Sequence, residues 1–338
     1  MPVMSTPFRT LPLWTAAALL CATLAGCGKK AEANPASWQS LPPETGIKML
    51  AYTTEFVKIS PRDAGTLNAS RSSRWIAQEI RRMGLTPQAD AWTENTAFGK
   101  KTFCNLYVDI PGETDSIVLF GSHYDTKPGI SESFQGANDG GSSTGILLGL
   151  IDHFVETKPK LRNTIRFAFF DGEEAQGNTY RDDDGLQGSK RMALAMARAS
   201  IEKPVVAVIV LDMVGDQNLK LEIPRNVTPW LAKIAIQESS ANPHAAPVSL
   251  ASTAIIDDHL PFIVNRFAAI DLIDFEYGSA EGKHDYWHTE KDSIDKISPE
   301  SLFKSATLAL SMLARIEDGT GLPTELQPIP ETAKPKPQ

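Results

Sequence analysis

The chain has 338 residues, of which 42% are hydrophobic and 22% are charged, and its formal net charge is -8. This length and composition are typical of one large globular domain, or at most two. The sequence has no long basic run, which argues against a nucleic acid partner. Of the three cysteines, only Cys104 lies outside the N-terminal segment, so no disulfide is expected within the body of the protein.

Residues 1–27 have the features of an export signal, with an arginine, then an apolar stretch, then small residues. The stretch is too short for a comfortable membrane span. Its end, Leu-Ala-Gly-Cys at 24–27, resembles the box of bacterial lipoproteins, which implies cleavage before Cys27 and a lipid on that cysteine. The alternative is an ordinary cleaved signal. By the same resemblance, Gly28 favours the outer membrane, facing the periplasm, if the source is Gram-negative. A polar, proline-bearing tether is expected over 28–44.

Strands and helices are predicted to alternate through residues 45–317, which we expect to form one folded domain. Hydrophobic periodicity and capping residues predict, in chain order, helices at 47–59 and 70–84, strands at 103–110 and 117–122, helix 144–156, strand 164–171, helix 189–199, strand 205–212, helix 228–239, strand 267–273 and helix 298–316. This alternation predicts an α/β three-layer sandwich, in which a mixed, mostly parallel central sheet has helices on both faces. The proline-rich tail, 318–338, is expected to be disordered.

An acidic turn follows the apolar run at 167–170. There, Glu173 and Glu174 directly follow a predicted buried strand, where two carboxylates are unfavourable unless they bind something. A cation is the obvious partner, because one glutamate can bind a metal while its neighbour moves a proton. A solvated acidic loop is the alternative for such a pair taken alone.

Other candidate metal ligands also fall at strand ends or in loops. The full set is His123, Asp139, Glu174, Asp212 and His288. In α/β sheets of this type, ligand-binding groups gather at the carboxyl ends of the strands. A mixed set of histidine and carboxylate, without cysteine, suits zinc in a catalytic site. A single histidine at a strand end is more often structural, so the hypothesis depends on the whole set.

With these residues in place, the sequence over most of 45–316 resembles the zinc exopeptidases of the M28 peptidase family, and among them the glutaminyl-peptide cyclotransferases. The resemblance implies roles for the matched positions. His123 and Asp125 match the family's HxD motif, Asp139 its metal-bridging aspartate, Glu173 its general acid/base, Glu174 the adjacent metal ligand, and Asp212 and His288 the remaining ligands.

Three motifs favour the cyclotransferase branch of that family. They are the run Phe-Phe-Asp-Gly-Glu-Glu-Ala at 169–175 with the polar insert after it, Asp-Asp-His-Leu-Pro-Phe at 257–262, and Trp-His-Thr at 287–289. Within the insert, 181–185 is expected to be a solvated acidic loop. Animal cyclotransferases have a histidine where this chain has Asp271, so that part of the substrate-side network must differ here.

The number of zinc ions stays open at this point. In the cyclotransferase branch, the equivalents of Asp139, Glu174 and His288 hold one zinc. In the aminopeptidase branch, a second zinc adds His123 and Asp212. This chain has both sets of residues, but so do members of the cyclotransferase branch, so the ligand inventory does not decide between them.

The resemblance implies that an N-terminal glutamine of a peptide or protein is converted to pyroglutamate with release of ammonia. Zinc would polarise the γ-amide carbonyl, and Glu173 would carry a proton from the α-amine to the leaving ammonia. Asp212 and Asp257 would hold and tune the amine and Glu173. Trp287 would form an apolar wall, with ordinary core packing as its alternative. Two other hypotheses remain: a two-zinc aminopeptidase, and a peptide-binding lipoprotein whose metal is structural.

Overall fold

The protein was analysed as a computed structural model, which describes residues 37–178, 180–200, 202–324 and 327. The helices and strands of this part are α1 Thr45–Phe56, α2 Leu67–Arg82, β1 Gln88–Thr96, β2 Gly99–Ile110, β3 Ile117–His123, α3 Gly141–Thr157, β4 Thr164–Phe170, α4 Gln187–Ala199, β5 Val205–Asp212, β6 Leu221–Ile223, α5 Pro229–Ala241, β7 Val248–Leu250, α6 His259–Val264, β8 Ala269–Ile273 and α7 Pro299–Glu317. Each helix and strand predicted above is present, and the ends of all except β5 are somewhat shifted. β1, β6, β7 and α6 were not predicted.

The strands form one eight-stranded sheet in the order β1-β2-β4-β3-β5-β8-β6-β7. The four central strands, β4, β3, β5 and β8, run parallel to one another. On one side, β2 pairs antiparallel with both β1 and β4. On the other side, β6 pairs antiparallel with β8 and parallel with β7. All seven residues of β3 are buried, as expected for a parallel strand covered on both faces.

Helices cover both faces of the sheet, because the central strands alternate apolar side chains between two cores. Val118 and Phe120 of β3 belong to the larger core, which includes buried residues of α1, α2, α3, α5 and α7. Ile117 and Leu119 point to the other face and pack in a smaller core with residues of α4 and α6. The predicted three-layer α/β sandwich is therefore confirmed.

The folded part of the chain extends beyond the predicted range 45–317 at both ends. Trp38 and Leu41, placed in the predicted tether, and Leu322, placed in the predicted tail, are buried in the larger core. Burying such large apolar side chains stabilises the fold, which explains why these residues pack instead of remaining solvated.

The predicted signal at 1–27, including Cys27, lies outside the described residues. Most of the predicted tether and tail lies outside them as well. Within the described part of the chain, no helix combines the length and the hydrophobicity needed to cross a membrane.

Candidate metal centre and its cavity

The central strands bring the predicted ligands to one edge of the sheet. β3 ends at His123, which pairs with Phe170 at the end of β4, and the neighbouring β5 ends at Asp212. Glu173 and Glu174 follow β4 within a few residues. Because parallel strands end at a common edge, His123, the acidic turn and Asp212 lie close together.

Asp139 lies between two groups of donor atoms. Its Oδ1 is 3.2 Å from Nε2 of His123, and its Oδ2 is 3.4 Å from Nε2 of His288. His123 Nε2 is also 3.2 Å from Asp212 Oδ1, and His288 Nε2 is 3.0 Å from Glu174 Oε1. These contacts define two trios, each with one histidine and two carboxylates, that share Asp139. The structure thus brings all five predicted ligands together.

Local backbone geometry explains how two of these ligands reach the centre. Gly140, the first residue after Asp139, has a φ of 75°, and a Cβ at this position would lie 2.9 Å from the His123 ring. A glycine therefore lets the turn before α3 approach His123 closely. His288 has a φ of 52°, which is uncommon for a residue with a side chain. Such conformations persist where the surrounding structure holds them, and here the conformation accompanies the contact of His288 with Glu174 and Asp139.

Asp125 fixes the acidic turn from behind. Its Oδ1 accepts the backbone N–H of Glu173 at 3.1 Å, and its Oδ2 accepts that of Glu174 at 3.2 Å. The same carboxylate lies 3.7 Å from Nδ1 of His123, the ring nitrogen opposite the metal-facing one. One buried side chain therefore fixes the turn that carries Glu174 and also lies beside the ring of a strand-end histidine.

Asp292 holds the loop that carries Asp139, and the sequence analysis missed it. Its carboxylate accepts the backbone N–H groups of Asn138 at 2.7 Å and Asp139 at 3.2 Å, and the hydroxyl of Tyr277 at 2.8 Å. Burial and the nearby charge of Asp139 raise the pKa of Asp292 to about 7, although its hydrogen bonds oppose this shift. The only sequence signal is its position four residues after His288, which is too weak to indicate this contact.

Arg62 is a second supporting residue that sequence reasoning missed. Its guanidinium is fully buried and donates to the backbone carbonyls of Tyr124 at 2.8 Å, Gln135 at 2.6 Å and Gly136 at 2.9 Å. Tyr124 follows His123 in the chain, and Gly136 begins the turn that leads to Asp139. Arg62 therefore ties together the two loops that supply these ligands.

The two glutamates of the acidic turn differ in their surroundings. Burial, followed by the charge of Glu174, raises the pKa of Glu173 well above its ordinary value. Burial and the charge of Asp139 raise the pKa of Glu174 to about 7, although contacts with His288 oppose this shift. Burial lowers the pKa of His288, but Asp139 and Glu174 outweigh it and raise the pKa to about 10. The centre therefore holds more buried carboxyl groups than histidines.

A cavity of about 430 Å³ opens beside the centre and contains the predicted catalytic residues. Glu173, Asp212 and Asp257 line it, together with Trp287 and His288. The Trp287 ring stacks on the His288 ring at a centroid distance of 4.0 Å and an interplanar angle of 25°. The apolar side chains of Ile255, Ile256 and Phe275 complete one wall. The cavity is thus lined by both acidic and apolar groups.

The two trios fit a zinc-type cation. Asp139 is almost fully buried, and its Oδ2 forms no hydrogen bond with any group in the described part of the chain. A buried carboxylate oxygen without a partner is unfavourable, and a metal ion is the kind of partner that satisfies it. Each trio also combines one imidazole with two carboxylates, a donor set suited to catalytic zinc.

The acidic insert at 181–185 differs from the solvated loop that was expected. Asp182 and Asp183 are exposed, but Asp184 is buried. Its carboxylate accepts the backbone N–H groups of Gln176 at 2.8 Å and Gly177 at 2.9 Å. The prediction was wrong for Asp184, because a short loop that folds back needs an internal acceptor for its own N–H groups.

A sheet edge that carries two histidine–carboxylate trios with a shared aspartate is the arrangement of a metal-dependent α/β enzyme. The sequence profile of Peptidase family M28 matches residues 105–313, and the chain belongs to this family. The resemblance stated from the sequence is therefore confirmed.

Similar proteins include glutaminyl cyclases. The chain is 26% identical over 291 residues to "Glutaminyl-peptide cyclotransferase" of Dictyostelium discoideum, covering 72% of this chain and 78% of that protein. It is 30% identical to the solved glutaminyl cyclase of an Acidobacteriales bacterium, with a TM-score of 0.76 and coverage of 82% and 97%. The glutaminyl cyclase of Porphyromonas gingivalis gives 25% identity, a TM-score of 0.72 and coverage of 80% and 98%.

Proposed function

We propose that the protein is a glutaminyl-peptide cyclotransferase, which closes an N-terminal glutamine into pyroglutamate and releases ammonia. The observation that carries this proposal is the shared cavity, where Glu173 lies with Asp212 and Asp257 beside a metal-type trio and Trp287. In this combination, Asp212 and Asp257 can accept hydrogen bonds from an α-amine, Glu173 can carry a proton, and Trp287 forms an apolar wall. The similarity to glutaminyl cyclases over most of the chain supports the same reaction.

Asp139, Glu174 and His288 are the residues that would hold the zinc ion, and His123 and Asp212 would join Asp139 in holding a second one. When bound, zinc supplies Lewis acidity at the γ-amide carbonyl of the substrate. Asp125 keeps Glu174 oriented through its backbone N–H and lies beside the ring of His123.

Glu173 is the proton carrier in this proposal. Its carboxylate takes a proton from the α-amine, whose nitrogen then bonds to the γ-carboxamide carbon. The bond from that carbon to the amide nitrogen breaks, and Glu173 returns the proton to the departing ammonia. The raised pKa of Glu173 suits this role, because a carrier must hold the proton between the two transfers.

The other cavity residues position the substrate. The carboxylates of Asp212 and Asp257 accept hydrogen bonds from the α-amine, which holds its nitrogen toward the amide. Trp287 packs against the methylene groups of the glutamine and excludes water, which would otherwise hydrolyse the amide. Ring closure is intramolecular, so holding the two ends of the residue together supplies much of the acceleration.

An aminopeptidase that hydrolyses N-terminal residues is the second candidate. The observation that favours it is the complete trio of His123, Asp139 and Asp212, which supplies ligands for a second metal. The two reactions have different products. A glutamine-initiated peptide incubated with the zinc-loaded protein should lose ammonia, a mass decrease of about 17 Da for the cyclisation chemistry assigned to this site. Release of the free N-terminal amino acid would instead establish the aminopeptidase.

We also propose that the protein is exported and anchored by a lipid on Cys27, facing the periplasm from the outer membrane. The support is the sequence Leu-Ala-Gly-Cys at 24–27, which follows an apolar stretch and precedes a polar segment. Such an anchor would present the catalytic domain to peptide and protein N-termini outside the cytoplasm.

A further inference from the structure

A third cluster of ligand-type side chains lies beneath the cavity, between α6 and β8. Asp257 precedes α6, His259 is its first residue, and Asp271 is in the middle of β8. One donor atom from each of the three lies within 4.8 Å of the others. Nδ1 of His259 is 3.7 Å from Oδ2 of Asp271. The cluster shares no residue with the two trios around Asp139.

The side chains of this cluster are deeply buried and largely without partners. Asp257 is 4% exposed, and His259 and Asp271 are 0% exposed. Both ring nitrogens of His259 and both carboxylate oxygens of Asp271 form no hydrogen bond with any group in the described part of the chain. Four buried polar atoms without partners in one place are unusual, since most such atoms in folded proteins are satisfied. Their donor types and positions point to a shared ligand.

The charges around the cluster favour a cation as that ligand. After burial, the strongest influences on Asp257 are the carboxylates of Asp271, Asp212 and Glu173, and all of them raise its pKa. Asp212 and Asp258 also raise the pKa of Asp271, and His123 opposes them. A divalent ion between Asp257 and Asp271 would balance two of these negative charges.

We propose that Asp257, His259 and Asp271 form a third divalent-cation site of the zinc type. The cluster has one imidazole and two carboxylates, the same donor set as each trio around Asp139. Asp257 also lines the cavity, which places the cluster directly beside it. The three protein ligands leave a fourth position for water. The bound ion would connect the start of α6 to the middle of β8.

The first experiment counts zinc ions in the full-length protein and its variants. Each protein is equilibrated with zinc at a series of buffered free concentrations, and bound zinc is measured by mass spectrometry of the metal. Asp271→Asn and His259→Gln should each bind one equivalent fewer than the parent protein. Asp258→Asn is the matched control. Asp258 is an equally buried neighbouring carboxylate whose oxygens also form no hydrogen bond in the described part of the chain, but it lies outside the three-residue cluster, so this variant should keep the parent count.

The second experiment uses the unaltered protein, so that it does not depend on whether a variant folds. Crystals equilibrated with zinc are measured at the zinc absorption edge, and an anomalous peak is expected between α6 and β8, bounded by Asp257, His259 and Asp271. Equal zinc counts in the parent protein and Asp271→Asn, or no peak at a concentration that fills the trios around Asp139, would overturn the proposal. Protons would then satisfy the cluster. Both measurements detect bound metal directly and stand apart from the reaction proposed above.

Discussion

Asp125→Asn tests how the acidic turn is held beside the metal centre. The two oxygens of Asp125 accept the N–H groups of Glu173 and Glu174. Asparagine has the same shape but only one side-chain oxygen, so one of these hydrogen bonds is lost and an amide donor faces a backbone donor. A hydrogen bond to a charged group contributes about 1.5–3 kcal/mol.

The loss should fall mainly on metal binding, because the turn carries Glu174 and the same carboxylate lies 3.7 Å from the His123 ring. A tenfold change in affinity corresponds to about 1.4 kcal/mol, so we expect the zinc dissociation constant to rise roughly 10- to 100-fold. This agrees with the effect of removing partners of metal ligands, which is about 10- to 100-fold in affinity.

Competition with a chelator of known affinity gives the zinc dissociation constant, and urea unfolding shows whether the fold is intact. Asp182→Asn is the matched control, because Asp182 is an exposed carboxylate on the insert that follows the same turn, and its zinc affinity should be unchanged. An unchanged dissociation constant in folded Asp125→Asn would refute the role assigned to Asp125.

Four other substitutions test three separate parts of the interpretation. Glu174→Gln should lose bound zinc and stability together, whereas Glu173→Gln should keep its metal and fold but lose turnover by about 10²-fold or more. Zinc content and turnover number are measured for both variants. The opposite pattern would show that the two glutamates have exchanged roles. Cys27→Ser should leave the enzyme active and move it from membrane to soluble fractions; normal processing with continued membrane association would contradict the lipid anchor. Burial raises the pKa of Asp274 to about 7 in the folded protein. In the unfolded chain the same carboxyl group loses its proton near pH 4, so the free energy of unfolding should decrease as pH rises from about 4 to about 7. Asp274→Asn should remove that part of the pH dependence of the unfolding free energy, and an unaltered profile would show that the carboxyl does not titrate as described.

Elements with strong local signals were predictable from the sequence. β5 is an unbroken apolar run, and its predicted bounds are those observed. α7 has Ser298 as its cap and Pro299 at its first position, and the Ser298 hydroxyl accepts the N–H groups of Glu300 and Ser301. The cap of α2 was misplaced at Ser70, because Thr66 accepts the N–H of Ala69 and begins the helix earlier.

Elements stabilised mainly by tertiary contacts were missed. β1 is mostly polar and partly or fully exposed, and it forms a strand because it pairs along its whole length with β2. α6 is only six residues long and contains Pro261, so its sequence carries almost no helical periodicity. Tertiary context commonly overrides local preference in such short or exposed elements.

The candidate site also has residues that were predictable from the sequence and residues that were not. The ligand set was predictable because parallel strands deliver their ends to one edge, so motifs far apart in sequence share a location. The residues that orient the ligands were not predictable from the sequence. Asp292 accepts hydrogen bonds from Asn138 and Asp139, about 150 positions earlier in the chain, and Arg62 contacts carbonyls more than sixty positions away. Only the folded chain reveals such pairings, because neither residue belongs to a recognisable motif.

The shared position of Asp139 has a thermodynamic consequence for how the centre fills. One oxygen faces each trio, so an ion bound by the first trio changes the charge and orientation of a ligand of the second. Binding at the two trios is therefore linked, and the linkage is reciprocal: if the first ion alters the affinity for the second by tenfold, about 1.4 kcal/mol, the second alters the affinity for the first by the same factor. If both trios bind zinc, the number of ions found in the purified protein will depend on the free zinc concentration during purification. Bound zinc measured over a range of free concentrations would then describe the centre better than a single metal count.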